Sequence, residues 1–332
     1  MVRRQIVEAR TRSGRKERRR ELGTLKSLVV RPATIVRYER AFKHFVAYLH
    51  QQGSEISRSK IGLDHQIEDY LEFLWEEGLP LSLAGDTLSS ITYFQPATKH
   101  NLAGSWKLLR AWQAHELPCR APPVTWEVLC VLLGWFHGLS PSVSVGLYLA
   151  FRALLRTGEL LSVRAKHLVI ADNEASGLLY LGLTKTGSRN PMAGHVTIHD
   201  RTLLHLLRLW KATAEPDQYI IPWSSSYFRV QFSKAIDHTH LSALSLKPYS
   251  LRRGGATELW LSTHNYSQVA YAGRWTSERT LKLYIHDSLA LLTDITFRPS
   301  PYQNNLIHHW QSVSRVEPSV HRKGRGRGRK RS

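Results

Sequence analysis

From Arg31 onward, apolar residues recur at spacings of three and four, broken by short polar stretches. Pro32 sits where a first helical turn begins. Tyr38, Phe42, Phe45, Val46 and Leu49 then share one face up to a break at Gln52-Gly53. A second run from Leu63 to Glu77 gathers Ile67, Tyr70, Leu71 and Leu74, and Gly78-Leu-Pro80 ends it. A third covers Leu83 to Phe94. A fourth covers Asn101 to His115, with Trp106, Leu109 and Trp112 on one side. The pattern predicts a compact four-helix domain over residues 29–116.

Residues 117–124 contain Leu117-Pro-Cys-Arg-Ala-Pro-Pro123, whose tandem prolines disfavour helix and suit an extended linker. Helical spacing returns at Trp126 to Phe136 and Val143 to Leu155. Then the period drops to two: Leu178 to Thr184 and His195 to His199 suit strands, with the polar turn Lys185-Thr-Gly-Ser-Arg-Asn-Pro191 between them. Helices follow at Arg201–Lys211, Ser226–His238, Leu251–Leu261 and Ser277–Leu292. The expected fold class is mainly α: a helical N-terminal domain, then an α+β domain over 125–312 with a small β-hairpin or sheet. The chain has no internal repeat.

Charge adds a partner to this picture. The 332 residues are 42% hydrophobic, as in globular proteins, but carry a net charge of +20. Residues 1–20 hold nine Lys/Arg against two Glu, and residues 321–332 hold seven with no acid, so about +6 remains on the rest. Residues 1–28 read as a basic flexible arm and 313–332 as a basic low-complexity tail. Such a surface favours polyanions, nucleic acid above all. With only Cys119 and Cys130, neither at metal-ligand spacing, a disulfide scaffold is excluded and a reducing compartment expected. Met-Val-Arg-Arg-Gln opens without a secretory signal, and the most apolar stretch, Val128 to Phe136, is too short to span a membrane.

Several residues have chemistry worth weighing. Arg156 follows an apolar helix, and an arginine can make two parallel hydrogen bonds to a phosphate. Glu159, three residues on, would lie beside it and hold its orientation. Lys185 on its turn could reach into a cleft and donate a proton to a leaving alkoxide. In Tyr249-Ser-Leu-Arg-Arg-Gly-Gly-Ala-Thr257, Arg252 and Arg253 fall in a first helical turn, where the backbone also favours an anion. Gly254-Gly255 costs about 1 kcal/mol per glycine inside a helix, so close packing or close approach of a ligand is expected there. Trp275 carries an indole N–H donor, and Tyr284 a phenol on a face with Leu281, Ile285 and Leu289. Taken singly, each has a structural explanation: a helix-end ion pair, a solvated lysine, a tight helix contact, a core tyrosine.

Their order and spacing resemble the tyrosine recombinase (phage integrase) family. That family has an arginine in Arg-x-x-Glu context, a hairpin lysine, a His/Lys-x-x-Arg motif, a His or Trp, and nine residues later a tyrosine nucleophile. Arg156 and Glu159, Lys185, Tyr249-x-x-Arg252 with Gly-Gly-Ala-Thr after it, Trp275 and Tyr284 fall into these places. The stretch Gly273-Arg-Trp-Thr-Ser resembles members that use Trp. The chain departs at Tyr249, where most members carry His or Lys and move a proton from the nucleophile. The resemblance covers residues 30–300, with specific motifs only in the second half.

It implies that residues 29–116 are a core-binding (SAM-like) domain on one side of a DNA duplex, and 125–312 the catalytic domain. It implies a site-specific recombinase or integrase of a mobile element, working by metal-free transesterification. Arg156 and Arg252 would hold the phosphate oxygens, Trp275 would add a donor and Lys185 would protonate the leaving oxygen. Tyr284 would form a 3′-phosphotyrosyl link, with Tyr249 positioning nucleophile or phosphate and Glu159 supporting. The partners implied are double-stranded DNA and three further copies in a homo-tetramer, with no membrane. The compartment is nuclear in a eukaryote and cytoplasmic otherwise. The alternative is a recombinase-derived DNA-binding protein with impaired catalysis, which Tyr249 favours. No cofactor or metal is expected: Asp237-His-Thr-His240, His195-x-x-x-His199 and His308-His309 each lack a third ligand nearby.

Overall fold

A computed structural model of the chain describes residues 11–116, 120–181, 194–293 and 297–315. These form two compact units, residues 1–119 and 120–332. The architecture is mainly α, with one three-stranded antiparallel sheet in the second unit.

Among its described residues the first unit holds six α-helices: α1 (Arg12–Leu22), α2 (Leu25–Leu28), α3 (Pro32–Gln51), α4 (Lys60–Glu76), α5 (Leu81–Phe94) and α6 (Ala103–His115). The periodic positions of α3 to α6 form its core, with Phe45, Ile67, Tyr70, Leu74, Leu88 and Leu109 all buried. The start of α6 is capped from another helix. Leu102 supplies no side-chain cap, so the Asp64 carboxylate on α4 accepts from the Gly104 and Ser105 amides, each at 3.0 Å. Residues 12–22 of the expected basic arm form helix α1. Thr11 caps it through the Gly14 amide, Gly23 ends it at φ 87°, and none of its residues is buried. Its Arg, Lys and Glu residues are good helix formers, but without an apolar stripe they give no periodic signal. Residues 1–10 of that arm, 117–119 of the linker and 316–332 of the tail lie outside the described residues.

In the second unit, α7 (Trp126–Leu139) and α8 (Pro141–Arg152) are nearly continuous core. They are followed by α9 (Thr157–Leu160), β1 (Leu168–Ile170), β2 (Gly177–Tyr180), β3 (His195–Ile198), α10 (Arg201–Thr213) and α11 (Ser225–His238). The sheet order is β1-β2-β3. Leu168 faces Leu179, and Tyr180 faces His195, so β2 and β3 form the expected hairpin. Its turn lies outside the described residues, and β1 is an addition: three residues are too few to show alternation. Helix α10 covers the buried face, close enough that a Cβ on Gly177 would meet the Leu204 side chain.

The last helices are α12 (Tyr249–Thr263), α13 (Tyr266–Gly273), α14 (Glu278–Thr293) and α15 (Pro301–Val313). Helices α12, α13 and α14 pack around a small cluster of their own: Leu154, Ala256, Val269, Leu281, Tyr284 and Ile285. Helix α15 lies along α7, with the Leu306 backbone against Gly134 and Trp310 buried. Among the described residues no helix is long and apolar enough to cross a membrane, and no group of three or more His, Cys, Asp or Glu gathers as a metal site.

Candidate active site

The site grows from the end of α8. That helix stops at Arg152 rather than running to Leu155, and Leu154 turns left-handed at φ 49°. The turn offers its carbonyl outward, and the Arg252 and Arg274 guanidiniums both donate to it. Two residues on, Arg156 precedes the short α9. Glu159 accepts from the Arg156 amide (2.9 Å) and from Arg156 Nη1 (2.7 Å), so the carboxylate lies beside its guanidinium. Burial alone would raise the Glu159 pKa, but the charges of Arg274 and Arg156 and the backbone bond bring it below the usual value.

Arg252 and Arg253 are both buried in α12, at 1% and 2% exposure. Arg252 also donates to Gly273 O at 2.6 Å, while its Nε has no partner among the described residues. Burial lowers its pKa, and the neighbouring cations Arg156 and Arg274 lower it further. The Gly254-Gly255 pair has a protein partner rather than a ligand. A Cβ on Gly254 would meet the Val124 backbone, and one on Gly255 the Phe151 carbonyl. This close approach lets α12 sit against the end of α8 and brings Arg252 to the Leu154 turn.

Helix α13 ends in a Schellman turn. Trp275 N donates to Ala270 O (2.9 Å), Arg274 N to Tyr271 O (3.2 Å), and Arg274 takes the left-handed position. The turn lays the Trp275 ring against the Arg252 guanidinium, 4.2 Å from Cζ to ring centroid. Tyr284 on α14 packs against the same indole, 5.2 Å between centroids. Arg253 lies over the Tyr284 ring at 4.8 Å, and Tyr249 meets it edge-on at 6.3 Å. The Tyr284 hydroxyl is buried, and among the described residues only the Tyr249 side chain acts on it through a hydrogen bond, outside good bonding geometry. Burial pushes its pKa well up, and Tyr249 pushes the same way, while Arg252 and Arg253 pull it down. Tyr249 itself is 41% exposed.

Six of the seven residues singled out from sequence therefore meet: Arg156, Glu159, Tyr249, Arg252, Trp275 and Tyr284. The seventh, Lys185, lies outside the described residues. Arg253 and Arg274 also belong to the cluster. Sequence reasoning placed Arg253 beside Arg252 in a first helical turn without a role of its own and gave Arg274 none, because their signal is burial of charge, which spacing does not show.

Solved structures share this arrangement of elements. The chain is similar over 80% of its length to 94% of the solved chain, a fragment, of the Tn1549 transposon integrase in complex with transposon right end DNA, at 12% identity and a TM-score of 0.57. The fold is that of the tyrosine recombinases. The XerH site-specific recombinase, in a post-cleavage complex with palindromic difH substrate, matches at 15% identity and a TM-score of 0.54, covering 78% of this chain and 77% of that one. A lambda integrase dimer bound to a COC′ core site matches at 16% identity and 0.53, covering 83% and 77%. No family model and no curated protein sequence matches the chain. The tyrosine recombinase fold is thus recognisable in three dimensions at identities that leave little of the sequence in common.

Proposed function

We propose that the chain is a site-specific DNA recombinase or integrase of a mobile element. It would cut and rejoin duplex DNA without a metal, as a homo-tetramer on paired sites. The observation that carries this reading is the unpartnered buried Arg252 Nε beside the buried Tyr284 hydroxyl, gathered with Arg156 and the Trp275 ring. A buried polar group left without a good partner costs about 1–3 kcal/mol, and a charged one costs more. A phosphodiester seated there would satisfy both. The DNA in the Tn1549, XerH and lambda complexes supports the same class of ligand.

In this mechanism Arg156 and Arg252 bind the non-bridging oxygens and stabilise the charge that develops on them. The Tyr284 oxygen bonds to phosphorus as the bond to the 5′-oxygen breaks, leaving a 3′-phosphotyrosyl link. Its proton passes towards water past Tyr249, and Lys185 protonates the departing 5′-oxygen. Attack by a 5′-hydroxyl from a second duplex reverses the step, so the bond energy is conserved and no nucleotide is consumed. Residues 29–116 act as the core-binding domain and 125–312 as the catalytic domain.

The test is covalent capture. Duplexes bound by the full-length protein are selected from a random pool, then nicked beside each candidate scissile phosphate. Wild type should form a DNA–protein adduct resistant to denaturant, and Tyr284→Phe should form none while binding the same duplex. An adduct in Tyr284→Phe removes Tyr284 as nucleophile. Binding without any wild-type adduct favours the second reading, a DNA-binding protein with impaired catalysis. Tyr249 in the proton-transfer place and the burial of Tyr284 point that way.

A further inference from the structure

Arg274 bears two costs at once. It holds φ 59° and ψ 42° at the turn after α13, where glycine is the usual residue and a side chain costs about 1 kcal/mol. Its side chain is also 7% exposed, ion-paired to Glu159 at 2.8 Å. Burial and the Arg156 charge together lower the Arg274 pKa more than Glu159 raises it. A buried pair of this kind is weak as a source of stability. What it supplies is geometry.

The two Glu159 oxygens are divided. Oε1 accepts from Arg156 Nη1, and Oε2 accepts from Arg274 Nη2 and the Arg156 amide. The Leu154 carbonyl is divided in the same way, between Arg252 and Arg274. Two more carbonyls, Ala153 (3.3 Å) and Ala272 (3.1 Å), hold Arg274 Nη1. Arg274 therefore touches the group that orients each of the other two arginines, and it joins segments more than one hundred residues apart in sequence.

We propose that Arg274 is a positioning residue of the oxyanion site. Through Glu159 it aims Arg156, and through the Leu154 carbonyl it fixes Arg252, so that both guanidiniums converge on one phosphate. This rests on the reading of Arg156 and Arg252 as phosphate ligands. Only a guanidinium can span one carboxylate and three carbonyls; an ammonium is a single point of charge.

The informative variant is Arg274→Gly, because glycine takes the left-handed backbone without strain and removes only the side chain. Orthovanadate alone serves as the probe, titrated calorimetrically into full-length wild type, Arg274→Gly, Arg156→Ala and the double variant. The quantity compared is the binding that Arg156→Ala removes, which excludes the basic arms. Arg274→Gly should weaken it about tenfold, the scale of losing a partner that orients a ligand group. In the Arg156→Ala background the same change should cost little more. Melting temperature should fall, because Glu159 loses one of its two buried partners, while duplex affinity measured below the melting transition should stay near wild type. Undiminished vanadate binding in Arg274→Gly overturns the proposal, and so does an equal loss in both backgrounds. If Arg274→Gly does not fold, Arg274→Lys decides: it keeps a charge beside Glu159 but loses the carbonyl bonds, and wild-type vanadate affinity there also overturns it. Wild type that binds vanadate through Arg156 yet forms no adduct with nicked DNA removes the recombinase reading and leaves this comparison standing. No Arg156-dependent vanadate binding at all removes both.

Discussion

Glu159 lies between two arginines and is itself nearly buried, so its protonation state controls whether part of their charge is offset. Its folded pKa lies below the unfolded value of 4.5. The folded carboxyl thus binds a proton more weakly than the unfolded one. The stability it contributes is complete above pH 4.5 and is lost as pH falls through the folded value. Glu159→Gln removes the charge at every pH and leaves the Arg274 guanidinium buried without its ion partner. Breaking a buried pair from one side costs about 3 kcal/mol or more. The melting temperature of Glu159→Gln should therefore fall well below wild type at pH 7, and the gap should close as pH drops below 4.5. A gap that stays constant into acid would mean that the carboxylate charge is not what holds the turn.

At the scale of elements, α6 depends on a cap borrowed from α4, which makes a second prediction. Asp64→Ala leaves the Gly104 and Ser105 amides without their carboxylate acceptor. Loss of such a cap costs about 1–2 kcal/mol, so amides in α6 should exchange with deuterium about tenfold faster. Asp64→Asn, which keeps an oxygen acceptor, should lose less, and equal exchange in wild type and Asp64→Ala would discard the capping argument. This cap also marks where sequence stops being legible. The apolar spacing of α3 to α6 is local, so those helices can be read directly. The carboxylate forty residues from the amides it caps carries no local signal. The same division runs through the site. Arg156 with Glu159, and Trp275 with Tyr284, sit on short spacings that sequence displays. The Leu154 turn, Arg253 and Arg274 owe their places to burial and to carbonyls on distant segments. Helix α13, with only Val269 and Gly273 buried, has too few core positions to show a period.

For the whole molecule the question is where its charge acts. Of the net +20, residues 1–20 and 321–332 each contribute +7. Helix α1 of the first arm presents its arginines with no residue buried. If the arms alone held nucleic acid, a protein reduced to residues 29–315 would bind no duplex. If the fold itself binds DNA, duplex binding survives trimming and changes in its salt dependence. For every phosphate that the trimmed protein no longer neutralises, the slope of log affinity against log salt concentration becomes shallower by about 0.9. Trimming should then weaken binding much more at about 50 mM salt than at about 200 mM, because the arms act through counterion release. The buried arginines of the site should matter less to that slope than to discrimination against a neutral methylphosphonate at the scissile position, because they meet one phosphate rather than many. Affinity measured by fluorescence anisotropy across a salt series, for the full chain and for residues 29–315, separates the two cases. Binding that vanishes at every salt concentration would place the function in the arms and leave the recombinase fold without a duplex to act on.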